Sequence, residues 1–515
     1  MTNLPNLHCA RRRSRRSVLD GLPAAVGACA STATLLGVLF LAGCTVPQIG
    51  AIPLCQVNCE LTERTSHEVL CAPPCTFVLP PDVSLEDGVT EDEAVAVALS
   101  NNSTFQATLT QLGMAEGDLI QAGLLTNPSF TTFIPVGVKQ WEWTLYLPIE
   151  AFVLRPQRLS LASNQYESMA QQLVQNGLTL VRDVRVAHAD LAVALAQWEL
   201  SQEAVKTRQN IADLTEKRLA RGDISKLEEI TAQVDALNSQ ATTALLEQSV
   251  VVAESRLSQL MGLPLDHEPL YADLTPPTSL GELDVQALTE NALARRPDIA
   301  AANWSVSAAT HRAQLARWQF LRLDFVADAN GSGEKGFELG PGLRFDIPIF
   351  NRNQGGVVRA DAELTQTMYA RDAVKEQVIQ EVRAASAQWR QTLRQLAILE
   401  KQVDPALKKS LQITQKGFTS GGADYLLVLQ ATTQYFDSRA RILDQKASLL
   451  RARAELERSI GGSLAAAAPG SPQMPEMLPP PVLISPTPVG PAPLGGWPDP
   501  PLPEALEEIE PDARP

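Results

Sequence analysis

Two stretches of the chain, about 200 residues apart, carry the same pattern of residues. The stretch that starts at Leu214 reads LTEKRLARGDISKLEEITAQ, and the stretch that starts at Ile413 reads ITQKGFTSGGADYLLVLQAT. The offset holds without a gap as far as Gly262 and Gly461, where both helical patterns stop. A near-constant offset through several kinds of element indicates that one large unit is duplicated and excludes a solenoid of short repeats.

Each copy contains the same order of predicted elements: a short helix, a strand pair, a very long helix, a sharp break and a second long helix. The first copy spans residues 84–275 and the second spans 276–462. Ala, Leu, Gln, Glu and Arg dominate the long segments, which is a composition typical of long helices. We therefore predict a mainly α fold with a small β part and four strands per chain.

The long helical patterns run from Pro156 to about Arg221 and from Ser225 to Met261 in the first copy. The second copy matches them at 354–419 and 424–460. At about 1.5 Å per residue, the longer helix of each copy is roughly 100 Å long. Charged residues occur throughout these helices, so coiled-coil packing is predicted and a membrane span is not.

The strand pairs alternate between apolar and polar residues. The apolar positions are Trp141, Trp143, Leu145, Leu147 and Ile149 in the first copy, and Phe337, Leu339, Leu343, Phe345, Ile347 and Ile349 in the second. This alternation predicts a sheet with one apolar and one wet face. A soluble sheet would bury the apolar face on helices, whereas a membrane barrel would turn it to lipid. Four strands cannot close a barrel, so the membrane alternative requires oligomerisation.

The N-terminus has the features of an export signal. Arginines at 11–13 and 15–16 precede a short apolar run, which predicts a signal peptide over residues 1–43. Leu41-Ala42-Gly43-Cys44 resembles a bacterial lipoprotein cleavage box, so Cys44 is the predicted lipidation site. The alternative is an ordinary signal cleavage that leaves Cys44 a spare thiol. The signal also resembles a twin-arginine sequence, and general secretory export is an equal alternative.

Four further cysteines, Cys55, Cys59, Cys71 and Cys75, lie in the segment 44–83, which we interpret as a tether after the lipidated residue. In an oxidising compartment clustered cysteines favour two disulfides, for which three connectivities exist. A metal site is the alternative, although zinc motifs more often have two residues between paired cysteines. At the other end, residues 463–515 are Pro-rich and acidic and are predicted to be disordered.

Composition and motifs argue against several classes of function. The net charge of −15 disfavours nucleic acid as a partner, since binding phosphates requires clustered Lys and Arg. None of the five histidines has HExxH spacing, and no cofactor is predicted. Gly331-Ser332-Gly333 lacks the Lys-Ser/Thr ending of a phosphate-binding loop, and no crossover helix follows it, so we interpret it as a hairpin loop. The chain is therefore not expected to be an enzyme.

These features together resemble the TolC-type outer-membrane efflux family over about residues 84–462. The resemblance rests on the cleavage box, the duplicated halves, the strand pairs and the long helices. Two short motifs also resemble the family, Asn127-Pro128-Ser129-Phe130 at the start of the first strand and Arg296-Pro297-Asp298-Ile299 in the second copy. The segment from Ile347 to Gly355, IPIFNRNQG, is most similar to the heavy-metal efflux branch.

The resemblance implies a homotrimer in the bacterial outer membrane. Three chains would form a twelve-stranded β-barrel that continues as an α-helical tunnel through the periplasm. The protein would be the exit duct of a tripartite pump, with a periplasmic adaptor protein and an inner-membrane transporter as partners. A type I secretion duct is a related alternative. A lipid-anchored coiled-coil scaffold without a pore is the alternative from another class, and it has no need of a lipid-facing apolar stripe.

The turns between the long helices are the best candidate functional sites. The adaptor-docking candidates are Arg221, Gly222, Ser225, Gly421 and Gly422. In the family, acidic residues near these tips surround a constricted entrance, and the candidates here are Asp223, Asp424, Glu228 and Glu229. The alternative is that these acids merely favour the N-terminal turns of helices, at about 0.3–1 kcal/mol each.

The predicted lipid anchor can be tested by substituting one residue. We expect Cys44→Ala to abolish acylation and to slow removal of the signal, because the acyl acceptor of the cleavage box is lost. Metabolic labelling with a palmitate analogue measures this directly. Equal label in the wild type and the variant would contradict the assignment.

Overall fold

The computed structural model describes residues 52–67, 69, 76–81, 83–84, 88–134, 141–264, 266–275, 283–332 and 336–464. The predicted signal peptide, Cys44 and the Pro-rich tail lie outside these residues. The described chain is mainly helical with one four-stranded sheet, which confirms the predicted fold class.

The first repeat contains two short helices, two strands and a long helical hairpin. These elements are α2 (Glu91–Asn101), α3 (Ser103–Gly123), β1 (Ser129–Phe133), β2 (Trp141–Pro148), α4 (Glu150–Ala220) and α5 (Lys226–Met261). The side chain of Thr90 accepts a hydrogen bond from the backbone of Glu93, and Glu93 returns one to Thr90, so a capping box begins α2. α4 has 71 residues, which corresponds to roughly 105 Å.

The second repeat has the same order of elements. They are α6 (Val285–Arg295), α7 (Pro297–Trp318), β3 (Leu323–Ser332), β4 (Gly336–Phe345), α8 (Gln354–Ile398), a π-helical turn (Leu399–Val403), α9 (Asp404–Thr419) and α10 (Tyr425–Ile460). Ahead of both repeats lies α1 (Ile52–Thr65), a helix that the sequence analysis did not predict.

The four strands form one antiparallel sheet in the order β1-β2-β3-β4. In this register Trp143 lies opposite Ala329, and Ala329 lies opposite Leu339. Directly paired residues share a face, so one face carries no charged residue on any strand. The other face carries Glu142, Asp324, Asp328, Glu338 and Arg344.

Three predicted boundaries were wrong, and two of them involve proline. The first long helix begins at Glu150, six residues before the predicted start, and accepts Pro156 in its interior. In the second repeat, the helix predicted over 354–419 is not continuous, because a π turn at Leu399–Val403 interrupts it just before Pro405. Proline cannot donate a hydrogen bond to the carbonyl four residues earlier, and the wider turn absorbs that loss. β4 ends at Phe345, so Ile347 and Ile349 lie beyond the strand.

The core lies where the short helices of each repeat pack on the long ones. The larger buried cluster includes Leu99, Leu112, Leu191 and Leu257 from the first repeat, and the second cluster centres on Trp389. Among the described residues, no helix is both long enough and apolar enough to cross a membrane.

The two repeats close their long hairpins in equivalent ways. Gly262 and Gly461 end α5 and α10 with positive φ angles of 68° and 78°. The Asn102 side-chain Nδ2 donates to the Leu260 carbonyl at 2.9 Å, and Arg296 Nη1 donates to the Ser459 carbonyl at 3.0 Å. In each repeat a side chain from the break between the two short helices thus holds the end of the hairpin.

The Gly262 cap can be tested against a glycine without neighbours. A Cβ at Gly262 would lie 2.5 Å from the Asn101 carbonyl oxygen, whereas a Cβ at Gly222 would meet nothing within 4 Å. Both replacements pay about 1–2 kcal/mol for left-handed backbone. We therefore expect Gly262→Ala to lower the thermal unfolding midpoint in detergent clearly more than Gly222→Ala. Equal midpoints for the two variants would show that the close approach does not matter.

Candidate functional site

The first tip is a tight turn between α4 and α5. The Gly222 amide donates to the Leu219 carbonyl at 2.9 Å, and the Asp223 amide donates to the Arg218 carbonyl at 2.9 Å. Gly222 has a φ of 78°, which this C-cap geometry requires. Arg221, Gly222 and Ser225 are exposed around the turn, as a docking surface would need.

The second tip, between α9 and α10, repeats this geometry. The Gly421 amide donates to the Phe418 carbonyl at 3.1 Å, and the Gly422 amide donates to the Gly417 carbonyl at 2.8 Å. The φ of Gly421 is 83°, and both glycines are exposed. The duplicated sequence therefore produces two equivalent turns.

The two tips are held together within one chain by Arg218, a residue that the sequence analysis did not single out. Its Nη1 donates to the Phe418 carbonyl at 3.2 Å, and its guanidinium carbon lies 4.6 Å from the centre of the Phe418 ring. Phe418 in turn packs beside Tyr425, with ring centroids 6.3 Å apart. Burial raises the pKa of Tyr425 to about 12. The tips thus form one packed unit.

Among the four acidic candidates, Asp223 and Asp424 are exposed. Asp424 is the N-cap residue of α10, yet its side chain makes no capping hydrogen bond. The alternative interpretation, in which these acids favour the N-terminal turn of a helix, is left with the helix dipole alone at Asp424, without a capping hydrogen bond. The Asp424 carboxylate is therefore available to solvent and to ions.

Glu228 and Glu229 are committed to local contacts. Glu228 Oε2 accepts a hydrogen bond from the Ser225 amide at 2.8 Å in a capping box, and this bond lowers the pKa of Glu228. The Glu229 side chain is buried, and it accepts hydrogen bonds from Lys226 Nζ at 2.6 Å and from the side-chain Nε2 of Gln233. Both residues fit the helix-end role better than Asp424 does.

The apolar face of the sheet is uncovered within the chain. Leu339, Leu343 and Phe345 are 68%, 65% and 61% exposed. The predicted residues Trp141, Trp143 and Leu145 share this face and are also exposed. Phe337 lies on the same face by register, and Ile347 follows the strand. No helix layer covers this sheet among the described residues, so the soluble-sheet alternative loses its support.

The remaining predicted sites lie at the N-terminus. Cys59 takes part in a disulfide bond. Cys55 lies in α1, whereas Cys44, Cys71 and Cys75 lie outside the described residues.

The sequence analysis also missed a ladder of polar contacts that joins the repeats along α4 and α10. Its pairs are Arg185 with Glu457, Asp190 with Arg451 at 2.6 Å, Gln197 with Asp444 at 2.7 Å, and Glu203 with Arg439 at 3.9 Å. The numbers rise on one helix as they fall on the other, so the two helices pack antiparallel. Sequence spacing alone could not pair residues so far apart in the chain.

Comparisons with known proteins agree with this architecture. The family model described as "Outer membrane efflux protein" matches residues 138–263 and 288–462. The cobalt-zinc-cadmium resistance protein CzcC of Cupriavidus metallidurans is 25% identical over 394 residues, which cover 72% of this chain and 90% of CzcC. The pyoverdine export outer membrane protein OpmQ of Pseudomonas putida is 26% identical over 315 residues, which cover 57% of this chain and 64% of OpmQ.

Solved structures share the fold as well. The outer-membrane channel OprN superposes with a TM-score of 0.64 at 18% identity, over 77% of this chain and 97% of OprN. The family match spans both repeats, including β2 to β4 and both tips. The chain therefore belongs to the outer membrane efflux protein family, whose members are channels of efflux pumps and not enzymes.

Proposed function

We propose that three copies of this chain assemble into the exit duct of a tripartite efflux pump. The proposal rests on the sheet. One of its faces is apolar and uncovered, and the outer edges of β1 and β4 have no partner strand within the described chain. Unpaired strand edges are not tolerated in lipid. Three sheets joined edge to edge would satisfy every edge and give twelve strands around a polar lumen.

The long hairpins would extend this barrel into the periplasm. α4 and the composite of α8, the π turn and α9 both run from the sheet to a tip, and the ladder between α4 and α10 holds the two hairpins side by side. Three chains would give a tunnel wall of six hairpins. The exposed tips are the surface on which we expect an adaptor protein to dock, with an inner-membrane transporter as the further partner.

We further propose that Asp223 and Asp424 line the entrance. Three-fold symmetry would bring six such carboxylates near one axis, where they attract cations. The names of the two relatives refer to different substrates, cobalt, zinc and cadmium for CzcC and pyoverdine for OpmQ. We therefore propose no narrower substrate class for this chain than small molecules or metal ions. We also propose that the protein is anchored to the outer membrane by lipid on Cys44.

The membrane placement of the sheet predicts a contrast between neighbouring residues. Leu339 lies on the apolar face near the middle of β4, and Glu338 lies on the opposite face. An Arg toward lipid near the midplane costs about 2–4 kcal/mol, whereas an Arg toward a water-filled lumen costs little. We expect Leu339→Arg to reduce the trimer recovered from outer membranes, and Glu338→Arg to leave it unchanged. A monomer that is well folded in detergent, or equal trimer yields, would contradict the barrel.

The entrance predicts a change in ion selectivity. We expect the double variant Asp223→Asn, Asp424→Asn to lose preference for cations in planar bilayers, because the ring of charge is removed. Glu228→Ala is the matched control. It removes one tip charge per chain where the double variant removes two, but it disrupts a capping box, so it should lower stability without altering selectivity. Unchanged selectivity in the double variant would leave the helix-end interpretation standing.

A further inference from the structure

A cavity of about 180 Å³ lies where α1 contacts both repeats, and α1, α4 and α10 contribute most of its lining. The carboxylates of Asp92 and Glu457 line it. Five arginines line it as well, namely Arg64, Arg182, Arg185, Arg453 and Arg458. The lining therefore carries more guanidinium groups than carboxylates, in a chain whose net charge is −15.

The helix α1 brings Arg64 to this cavity and is held by both repeats. Leu61 is fully buried against α4, where a Cβ at Gly177 would lie 2.6 Å from Leu61 Cδ2. Arg64 is buried, and its Nη1 donates to the carbonyls of Arg295 at 2.8 Å and Gly461 at 3.0 Å. These carbonyls lie at the ends of α6 and α10. Contacts with both repeats thus fix the position of the Arg64 guanidinium.

Three of the lining arginines have an N–H group that meets no acceptor in the described part of the chain. The Nε atoms of Arg64, Arg182 and Arg185 are buried, and none of them donates a hydrogen bond to a described residue. The side chains of Arg64 and Arg185 are 2% and 10% exposed. Burying a donor without an acceptor is costly, so such groups ordinarily have a bound water or ion as a partner. Three such donors around one cavity indicate a ligand that is rich in acceptor atoms.

Carboxylates around the cavity pair with the Nη atoms of these arginines and leave the Nε atoms to another acceptor. Glu60 accepts a hydrogen bond from Arg64 Nη2, and Glu457 accepts one from Arg185 Nη1. Glu91 lies 2.9 Å from Arg185 Nε, but this contact is not aligned as a hydrogen bond. The carboxylates offset the positive charge of the arginines, so an occupant would be held by the buried N–H donors more than by net charge.

Arg182 and Arg453 form the more open side of the cavity. Their side chains are 32% and 31% exposed, against 15% or less for the other three arginines. Arg182 Nε lies 3.5 Å from Glu455 without making a hydrogen bond. A small ion from solvent can therefore reach the buried donors past these two side chains.

A tetrahedral oxyanion matches this set of donors. Phosphate and sulfate each present four acceptor oxygens, and the guanidinium group is the side chain best suited to bind them. The cavity volume of about 180 Å³ is several times the roughly 30 Å³ that one water molecule occupies, so a five-atom anion fits.

We propose that this cavity binds one free phosphate or sulfate ion per chain, which accepts hydrogen bonds from the Nε atoms of Arg64, Arg182 and Arg185. The ion would join α1 to α4 directly. Because Arg64 also holds the ends of α6 and α10, the same ion would stabilise the junction of α1 with both repeats. The site depends neither on the proposed barrel nor on the proposed lipid anchor.

Equilibrium dialysis of the purified full-length protein in detergent against radiolabelled phosphate tests the proposal. Chloride keeps the ionic strength constant, so that screening is the same in every sample. We expect saturable binding of one phosphate per chain, with sulfate as a competitor. Arg182→Gln should weaken binding about tenfold or more, because a hydrogen bond between charged groups is lost. Arg64→Lys keeps the positive charge but removes Nε, so it should also weaken binding.

Two controls separate this site from general attraction of anions and from lipid. Arg441→Gln removes the same charge from an exposed position of α10 that does not line the cavity, and it should bind phosphate as the wild type does. Glycerol 3-phosphate, which resembles a lipid headgroup, should compete no better than unlabelled phosphate.

Three results would overturn the proposal. A wild type without saturable binding would show that water alone fills the cavity. Equal affinities for the wild type and Arg182→Gln, or equal losses in Arg182→Gln and Arg441→Gln, would place the ion elsewhere. Stronger competition by glycerol 3-phosphate than by phosphate would assign the cavity to a lipid headgroup instead of a free ion.

Discussion

The requirement that every backbone polar group in lipid be paired governs this structure. One chain supplies four strands, whose apolar face and outer edges remain uncovered within the described residues. Such a sheet cannot be stable by itself in a bilayer, so in the proposed assembly one chain would supply a third of a barrel.

Ionic contacts then fix how the two repeats meet. The ladder between α4 and α10 includes Arg185 and Glu457, both of which are largely removed from solvent. A charge left without its partner in such a place costs several kcal/mol, so partially formed arrangements are disfavoured. Arg296 plays a similar part at the hairpin end, where it contacts Asp298, Glu381 and the Ser459 carbonyl. These pairs specify one alignment of two similar repeats that apolar packing alone would specify less strictly.

Much of the fold could be predicted because it depends on local patterns. The duplicated glycines at 222 and 421 foretold both tips, since a positive φ at the end of a long helix favours glycine. Period-two alternation foretold the apolar face of the sheet. α1 was missed, because a Pro- and Cys-containing segment of 14 residues gives a weak helical signal and is stabilised here by tertiary contacts with Gly177 and the hairpin ends. The burial of Glu229 and the role of Arg218 depend on which helix lies opposite, which no single-sequence pattern reveals.

The π turn before Pro405 makes the two halves of the chain mechanically unequal. The position that corresponds to Pro405 in the first repeat is Lys206, and α4 passes through it as regular α-helix. A π turn has poorer hydrogen-bond geometry than the α-helix on either side, so it is the softer joint. In a ring of six hairpins, stiffer hairpins would then alternate with hairpins that contain a joint. Three copies of the duplicated chain would supply twelve long helices to such a wall, and the π turn before Pro405 would give every second hairpin a joint that the others lack at that position.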